Sequence, residues 1–254
     1  QEERLEACLE EDVPIISFFW GDPTPLVERA KDAGAIVMHT VGDAASARRA
    51  VDSGVDVIVA QGWEAGGHVR GMVATMPLVP AVIDAVGDTP VVAAGGIADG
   101  RGLAAALALG AGAGWIGTRF LASEEATIHP YYRKRVLESS EDDTVHLLNL
   151  FDGGWPDAPH RVLQNSTVAA WEAAGCPQPG KRPGEREVIA TSHNQGDIVR
   201  YDAHTPRADS TGDIEALSMW AGQTSALVKR VQPAAEIVSE IMAEAKSAIS
   251  GLKT

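Results

Sequence analysis

Val13 to Trp20 reads VPIISFFW, a short and dense apolar run of the kind that forms a strand buried on both faces. Its place as the first member of a repeating series decides the fold. Asp22-Pro23-Thr24-Pro25 interrupts the run, with Thr24 placed to cap a helix that has Pro25 at its first position and Gly34 at its close. The pattern then repeats. Ala35 to Val41 (AIVMHTV) is a second strand, Asp43 caps the next helix and Gly54 ends it. Val55 to Gln61 (VDVIVAQ) is a third strand, and Pro90 to Ala94 (PVVAA) a fourth after a longer loop and a helix around Leu78 to Val86. Asp99 caps an Ala-rich helix that runs to Leu109, and Ala113 to Phe120 (AGWIGTRF) is a fifth strand. Strand starts near residues 14, 35, 55, 90 and 113 give a regular strand–helix alternation, which reads as βα units on a parallel sheet. An open doubly wound sheet and a β/α barrel both satisfy it.

Beyond Phe120 the character changes. Residues 121–215 carry many charges and Pro/Gly-rich stretches such as Ala174 to Gly184 (AGCPQPGKRPG). Helix is expected at Ser123–Ser139 and Asn165–Ala174, and extended chain at Glu187–Thr191 and Asp197–Tyr201. From Asp213 to Leu252 a helical period returns, with Leu217, Trp220, Leu227, Val228, Val231, Ile237, Ile241 and Ile249 available for a buried stripe. The domain reading is a βα region over 1–122, an inserted cap over 123–212, and two amphipathic helices over 213–254 that pack back on the core.

Composition narrows the function classes. The 254 residues are 45% apolar and 22% charged, an ordinary globular balance. Lys and Arg number 21 against 35 Asp and Glu, a formal charge of −14. So acidic a chain repels phosphate backbones and anionic lipid, which argues against nucleic-acid and membrane partners. Cys8 and Cys176 stand in unrelated contexts and suggest a reducing compartment. The longest apolar run, Leu103 to Gly117, falls short of the ~20 residues a membrane span needs. Gln1-Glu2-Glu3 is acidic where a secretory leader is basic, so a soluble, cytoplasmic protein is expected.

Three constellations sit at the carboxyl ends of strands, where parallel βα proteins bind ligands. The first is QGWEAGGH, Gln61 to His68. Gly66 and Gly67 permit close backbone approach and positive φ, and His68 has a side chain suited to proton transfer near neutrality. The second is Ala94-Gly95-Gly96-Ile97, with Asp99 opening a helix. The third is Gly112 to Thr118 (GAGWIGT). These two offer backbone amides, and Thr118 a hydroxyl, for a phosphate held by amides and a helix dipole. His39, near the end of the second strand, could also face the pocket, although packing is the favoured reading. Glu64 is a further loop carboxylate. GxSxG, HExxH, CxxC and metal-ligand histidine spacing are all absent, so no metal site is expected.

QGWEAGGH, PVVAAGGIADGRGLAAALALGA and GWIGTRF, followed by FDGGWPDAPHRVLQN (Phe151–Asn165) and WAGQTSALV (Trp220–Val228), together resemble the nitronate monooxygenase family. The resemblance implies a TIM-type β/α barrel with an inserted helical cap, FMN as cofactor, and oxidation of alkyl nitronates by O₂ to a carbonyl compound and nitrite. It makes His68 the active-site histidine, Gln61 and Gly66 flavin contacts, Gly96 the phosphate-receiving glycine, and Trp115, Ile116, Gly117 and Thr118 the phosphate-binding turn. It also makes the five strands the fourth to eighth of an incomplete barrel, with the first three units, roughly 90 residues, outside the sequence. The partners it implies are a small nitronate and O₂, with homo-oligomer formation left open. Two other functions stay in view. One is a flavin-dependent enoyl-thioester reductase using NAD(P)H, and the other is an inactive fragment.

Overall fold

The computed structural model describes residues 2–252, which cluster into two compact units. The first comprises the chain up to Trp63, Arg70–Ile116 and the chain from Met242; the second comprises Glu64–Val69 and Gly117–Ile241.

In the first unit α1 (Glu2–Glu10) leads to β1 (Ile15–Phe19), α2 (Thr24–Asp32), β2 (Ile36–Val41), α3 (Ala44–Asp52) and β3 (Val57–Gln61). The chain contributes a two-residue strand to the second unit, β4 (Gly67–His68). It then returns through α4 (Thr75–Val86), β5 (Val91–Ala94), α5 (Gly100–Ala108) and β6 (Ala113–Trp115). The five longer strands form one parallel sheet in the order β1-β2-β3-β5-β6. This is the α/β fold with a parallel sheet that the strand–helix alternation predicts. Period-two burial marks β2, where Val37, His39 and Val41 are buried in alternation.

Two helix starts follow the sequence and one does not. Asp43 caps α3 by accepting the Ser46 amide at 2.7 Å, and Asp99 caps α5 by accepting the amides of Arg101 and Gly102. Thr24 does not cap α2. Pro23 already has helical φ and ψ, so Thr24 falls inside the first turn, where its amide and hydroxyl both donate to Asp22. The fifth strand also ends early, at Trp115. Thr118–Ala122 is a 3₁₀ turn, with the Thr118 hydroxyl accepting the amide of Gly222 at 3.0 Å.

The second unit holds α6 (Pro130–Glu138), β7 (Thr144–Leu147), β8 (His160–Leu163), α7 (Ser166–Ala173), β9 (Val188–Ser192), β10 (Gly196–Val199) and β11 (Thr211–Gly212). Its strands form two small antiparallel sheets, β4-β8-β7 and β10-β9-β11. Asn165 caps α7 through the Val168 amide. Where two C-terminal helices were expected, there is one, α8 (Ala234–Ser250), whose residues from Met242 on belong to the first unit. The stretch before α8 is mostly extended chain and short 3₁₀ turns. Its backbone is committed elsewhere: Leu217 O accepts from Asn165, Met219 O from the Leu163 amide, and Trp220 O from the Tyr132 hydroxyl. Of the anticipated stripe, Leu217, Val228, Ile237 and Ile241 are buried, whereas Leu227, Val231 and Ile249 are exposed.

Candidate active site

In the first unit the register of the sheet sets two predicted site residues, Gln61 and Trp115, in line with Ala94. Gln61 is the partner of Ala94, and Ala94 of Trp115, so the ends of β3, β5 and β6 lie side by side. Directly after Ala94 the chain turns through Gly95 and Gly96, both left-handed at φ +83° and +72°, a conformation that favours glycine. The Thr75 hydroxyl donates to Gly95 O at 3.0 Å and holds the turn. Gly96 and Trp115 are exposed and Ile116 is half-buried. The helix-dipole part of the anticipated phosphate site is not available, however. At the start of α5 the Gly100 amide donates to Glu244 and those of Arg101 and Gly102 to Asp99, so carboxylates already occupy that terminus.

A cleft of about 660 Å³ opens at the carboxyl ends of β1–β3, with Gln61, His39, Trp20, Gly42, Arg70 and Gly71 in its wall. His39, a minor candidate in the sequence, lines this cleft while being only 6% exposed. Burial lowers its pKa, and the nearby Arg70 charge acts in the same direction. Trp20 takes a left-handed φ of +74° at the end of β1, and the Arg70 guanidinium lies 5.8 Å from its ring centroid. Nothing in the sequence pattern singles out Trp20 or Arg70.

In the second unit His68 is not on a loop but on β4, where it pairs directly with His160 of β8. Its ring centroid lies 4.2 Å from that of Trp155 and 5.2 Å from that of Trp220, both tilted by 35°, and 6.0 Å from that of His160. Burial among these rings lowers the His68 pKa, so the imidazole is neutral near pH 7. His160 is fully buried and pushed down to about 4 by burial, against the opposing pull of its bond to Ala158 O. Its tautomer follows from its partners. Phe151 N–H donates to Nε2, so Nδ1 carries the proton and donates to Ala158 O. Beside it the buried Arg161 guanidinium donates to Thr144 Oγ1, and the Glu64 charge favours its charged form against the cost of burial.

The motifs of this unit converge on one another. A Cβ on Gly66 would lie 2.4 Å from Gly222 N and 2.5 Å from Ala221 C, so only glycine fits against that backbone. Glu64 O accepts the Gln223 amide, and Gly222 N–H donates to Thr118. Residues 220–223 thus tie the loop that carries Gly66 and His68 to Thr118. The close approach of Gly66 is to protein backbone, and Gly67 alone of the pair has positive φ, at +75°. Gly117 is exposed at the head of the Thr118 turn. Trp155, Trp220 and His160 were missed as individual site residues, although all three lie in motifs that carry the resemblance. Their role comes from ring contacts across 60 to 150 residues of chain, and no local pattern encodes it.

The nitronate monooxygenase family model matches residues 1–244. The chain belongs to the nitronate monooxygenase family. A Mycobacterium tuberculosis protein named as a monooxygenase is 38% identical over 241 residues, a match covering 94% of this chain and 61% of that protein. A second protein of that organism, (3aS,4S,5R,7aS)-5-hydroxy-7a-methyl-1-oxo-octahydro-1H-indene-4-carboxyl-CoA dehydrogenase, is 39% identical over 208 residues, covering 81% of this chain and 55% of the relative. The chain therefore spans less than two thirds of the length of either. A solved nitroalkane oxidase of Streptomyces ansochromogenes is 29% identical with a TM-score of 0.77, covering 99% of this chain and 70% of its own. The family is one of flavin-dependent oxidoreductases. The residues present suit such a cofactor in two respects: an exposed left-handed glycine turn that a Cβ would strain, and a roomy cleft at strand ends that Gln61 helps to line. Among the described residues no His/Cys/Asp/Glu group could hold a metal ion, and no helix is long and apolar enough to cross a membrane.

Proposed function

We propose that the chain oxidises alkyl nitronates with O₂ to a carbonyl compound and nitrite, using FMN. The observation that carries this reading is His68, a half-buried imidazole on β4 whose pKa is lowered by burial, packed on two indoles within a family motif. The nitroalkane oxidase likeness supports the same substrate class. We read the five parallel strands as βα units of a TIM-type barrel that is incomplete in this sequence. Their unbroken order, and the share of the relatives' length that the chain spans, support this.

When bound, FMN supplies the electron transfer between nitronate and dioxygen. The protein's part is binding, orientation and proton control. Gly96 would receive the phosphate on its turn, with Gly117, Thr118, Trp115 and Ile116 as the second phosphate contact and Gln61 and Gly66 as flavin contacts. His68 polarises a nitronate, or accepts a proton from a neutral nitroalkane at an imidazole nitrogen. A neutral ring serves either role, because one of its nitrogens donates and the other accepts.

His68→Asn tests this directly. Turnover of propionate nitronate falls by about 10²–10⁴-fold, the range for a lost proton-transfer group, while the yellow flavin absorbance of the purified protein is retained. Unchanged kinetics would remove His68 from the reaction. A second reading is a flavin-dependent enoyl-thioester reductase with NAD(P)H as the electron source; the CoA thioester in the name of one relative supports the thioester substrate class alone. Anaerobic bleaching of the flavin by NADH, with no nitrite formed from nitronate, would favour it.

A further inference from the structure

The hairpin Asn149–Trp155 is held more firmly than a surface loop needs to be. Arg182, its side chain only 2% exposed, makes a two-pronged ion pair with Asp152 at 2.7 Å to each oxygen. The same guanidinium donates to Leu150 O and Asn149 O. One residue on, the Gly153 amide donates to Tyr201 O, and a Cβ on Gly153 would lie 2.4 Å from Asp202 Oδ1. The Trp155 amide then closes a turn on Asp152 O. These contacts fix the backbone leading up to the indole that lies against His68. The family reading accounts for His68 and leaves this hairpin, and the buried arginine behind it, without a role.

We infer that Trp155 is a positioning residue for His68, set by the Arg182–Asp152 ion pair, and that its indole orients the imidazole and keeps water from it. This rests on the assignment of His68 to the reaction. The aromatic partner is specific in a way that bulk packing is not: a ring at 4.2 Å and 35° restricts rotation of the imidazole about its last bond, and Trp220 restricts it further. The charged and titratable groups of the surrounding elements are Glu64 of the same loop, His160 and Arg161 of β8, His146 of β7, and Asp152 of the hairpin. The Trp220 segment, Met219 to Ala221, contributes none. Burial lowers the His68 pKa, and Trp155 is the nearest of the rings that supply it, so removing that indole moves the pKa up.

The test is the titration of the His68 imidazole in the full chain, followed by NMR of ring-labelled histidine and assigned by the signal lost in His68→Asn. In Trp155→Ala the His68 midpoint rises toward the ordinary 6.5, while His160, fully buried against Phe151 and Trp220, keeps its low value. Trp155→Phe returns the midpoint to that of the parent. Asp152→Asn, which leaves the indole in place and loosens its support, moves it the same way by less. In turnover, the acid limb of the pH–kcat profile follows the NMR midpoint from variant to variant. A parent-like His68 midpoint in folded Trp155→Ala overturns the inference. Should Trp155→Ala fail to fold, a parent-like midpoint in Asp152→Asn together with a shifted one in Trp155→Phe overturns it equally. His68→Asn separates this claim from the one beneath it: full turnover in that variant retires the catalytic role, and the titration still decides whether Trp155 governs the ring.

Discussion

Each of the two units of this chain has its own kind of internal chemistry. In the first, the strands are short apolar runs and two helix starts are fixed by local caps, Asp43 on Ser46 and Asp99 on Gly102, with a few longer-range bonds such as Gly100 to Glu244 at the surface or at helix ends. In the second, the fully buried set includes His160, Arg161, Thr167, Ser218 and Ser225, and the bonds span long stretches of chain. Asn165 reaches Leu217, Arg182 reaches Asn149 and Asp152, and Gly222 reaches Thr118. A fold made of apolar periodicity tolerates the loss of one polar contact. A fold whose interior is filled with polar groups does not, because each lost partner leaves a desolvated group unsatisfied.

The sharpest way to break this contrast is to remove a cation from each unit. Arg182→Met leaves the Asp152 carboxylate, 11% exposed, without its partner and the hairpin carbonyls of Asn149 and Leu150 without their donor. Breaking a buried pair in this manner costs about 3–5 kcal/mol. Arg29 in the first unit also pairs with a glutamate, Glu6, but the two side chains are 40% and 55% exposed. Arg29→Met should cost under about 1 kcal/mol. Urea melts of both variants measure the difference. Equal losses would mean that the second unit does not depend on its buried charges.

The acid limb of stability sharpens the same point. His160 titrates at about 4 when folded and near 6.5 when unfolded. Its folded value is the lower one, so the unfolded chain takes up the proton first. The stability of the neutral ring is complete above pH 6.5 and is lost as the pH falls toward 4, by about 3 kcal/mol over the window. His160→Gln offers an amide oxygen to Phe151 N–H in place of Nε2 and has no proton to gain, so it removes this part of the acid slope. Chemical denaturation at pH 7, 5.5 and 4.5 provides the check. A slope unchanged by the substitution would assign the acid loss to other groups.

The same division explains which parts of the fold are legible in the sequence. VPIISFFW, AIVMHTV, VDVIVAQ and PVVAA are strands in the structure to within two residues at each end, because a short apolar run bounded by turn residues marks a strand locally. The expected burial on both faces is not met in β1 and β2, where Ile15 and Ile36 are 50% and 47% exposed. AGWIGTRF misled for the opposite reason: Thr118 and Arg119 are buried by partners in the 220–232 stretch, and this tertiary demand overrides the strand pattern after Trp115. The segment Asp213–Pro233 misled in the same way, since its apolar spacing fits a helix while its carbonyls serve Asn165, Leu163 and Tyr132. At the site, QGWEAGGH located His68 because glycine and histidine at a strand end are a local pattern. Trp155, Trp220 and the Arg182–Asp152 pair are brought in by antiparallel pairing and long-range hydrogen bonds, which leave no periodic trace.

The smallest expected effect tests the first unit on its own terms. Asp43 is exposed, and its structural duty is to accept the Ser46 amide at the start of α3; that bond is the main reason its carboxyl titrates below the ordinary 3.8. Asp43→Ala should therefore cost about 1 kcal/mol at pH 7, the usual worth of a cap. Because the folded value is the depressed one, the cap's electrostatic share is present above the unfolded carboxyl's range and disappears as the pH falls through the folded value. Asp43→Asn keeps an oxygen acceptor and has no proton to gain, so it should match the parent to within a few tenths of a kcal/mol at pH 7 and lose less on acidification. Thermal melts at pH 7 and at about pH 3.5, below the unfolded carboxyl's midpoint, distinguish the three proteins. A local hydrogen bond predicts parent and Asn together at pH 7, with Ala below both. If Ala and Asn fell together instead, the carboxylate would be acting through its charge at the helix terminus, and the first unit would share some of the electrostatic dependence that here distinguishes the second.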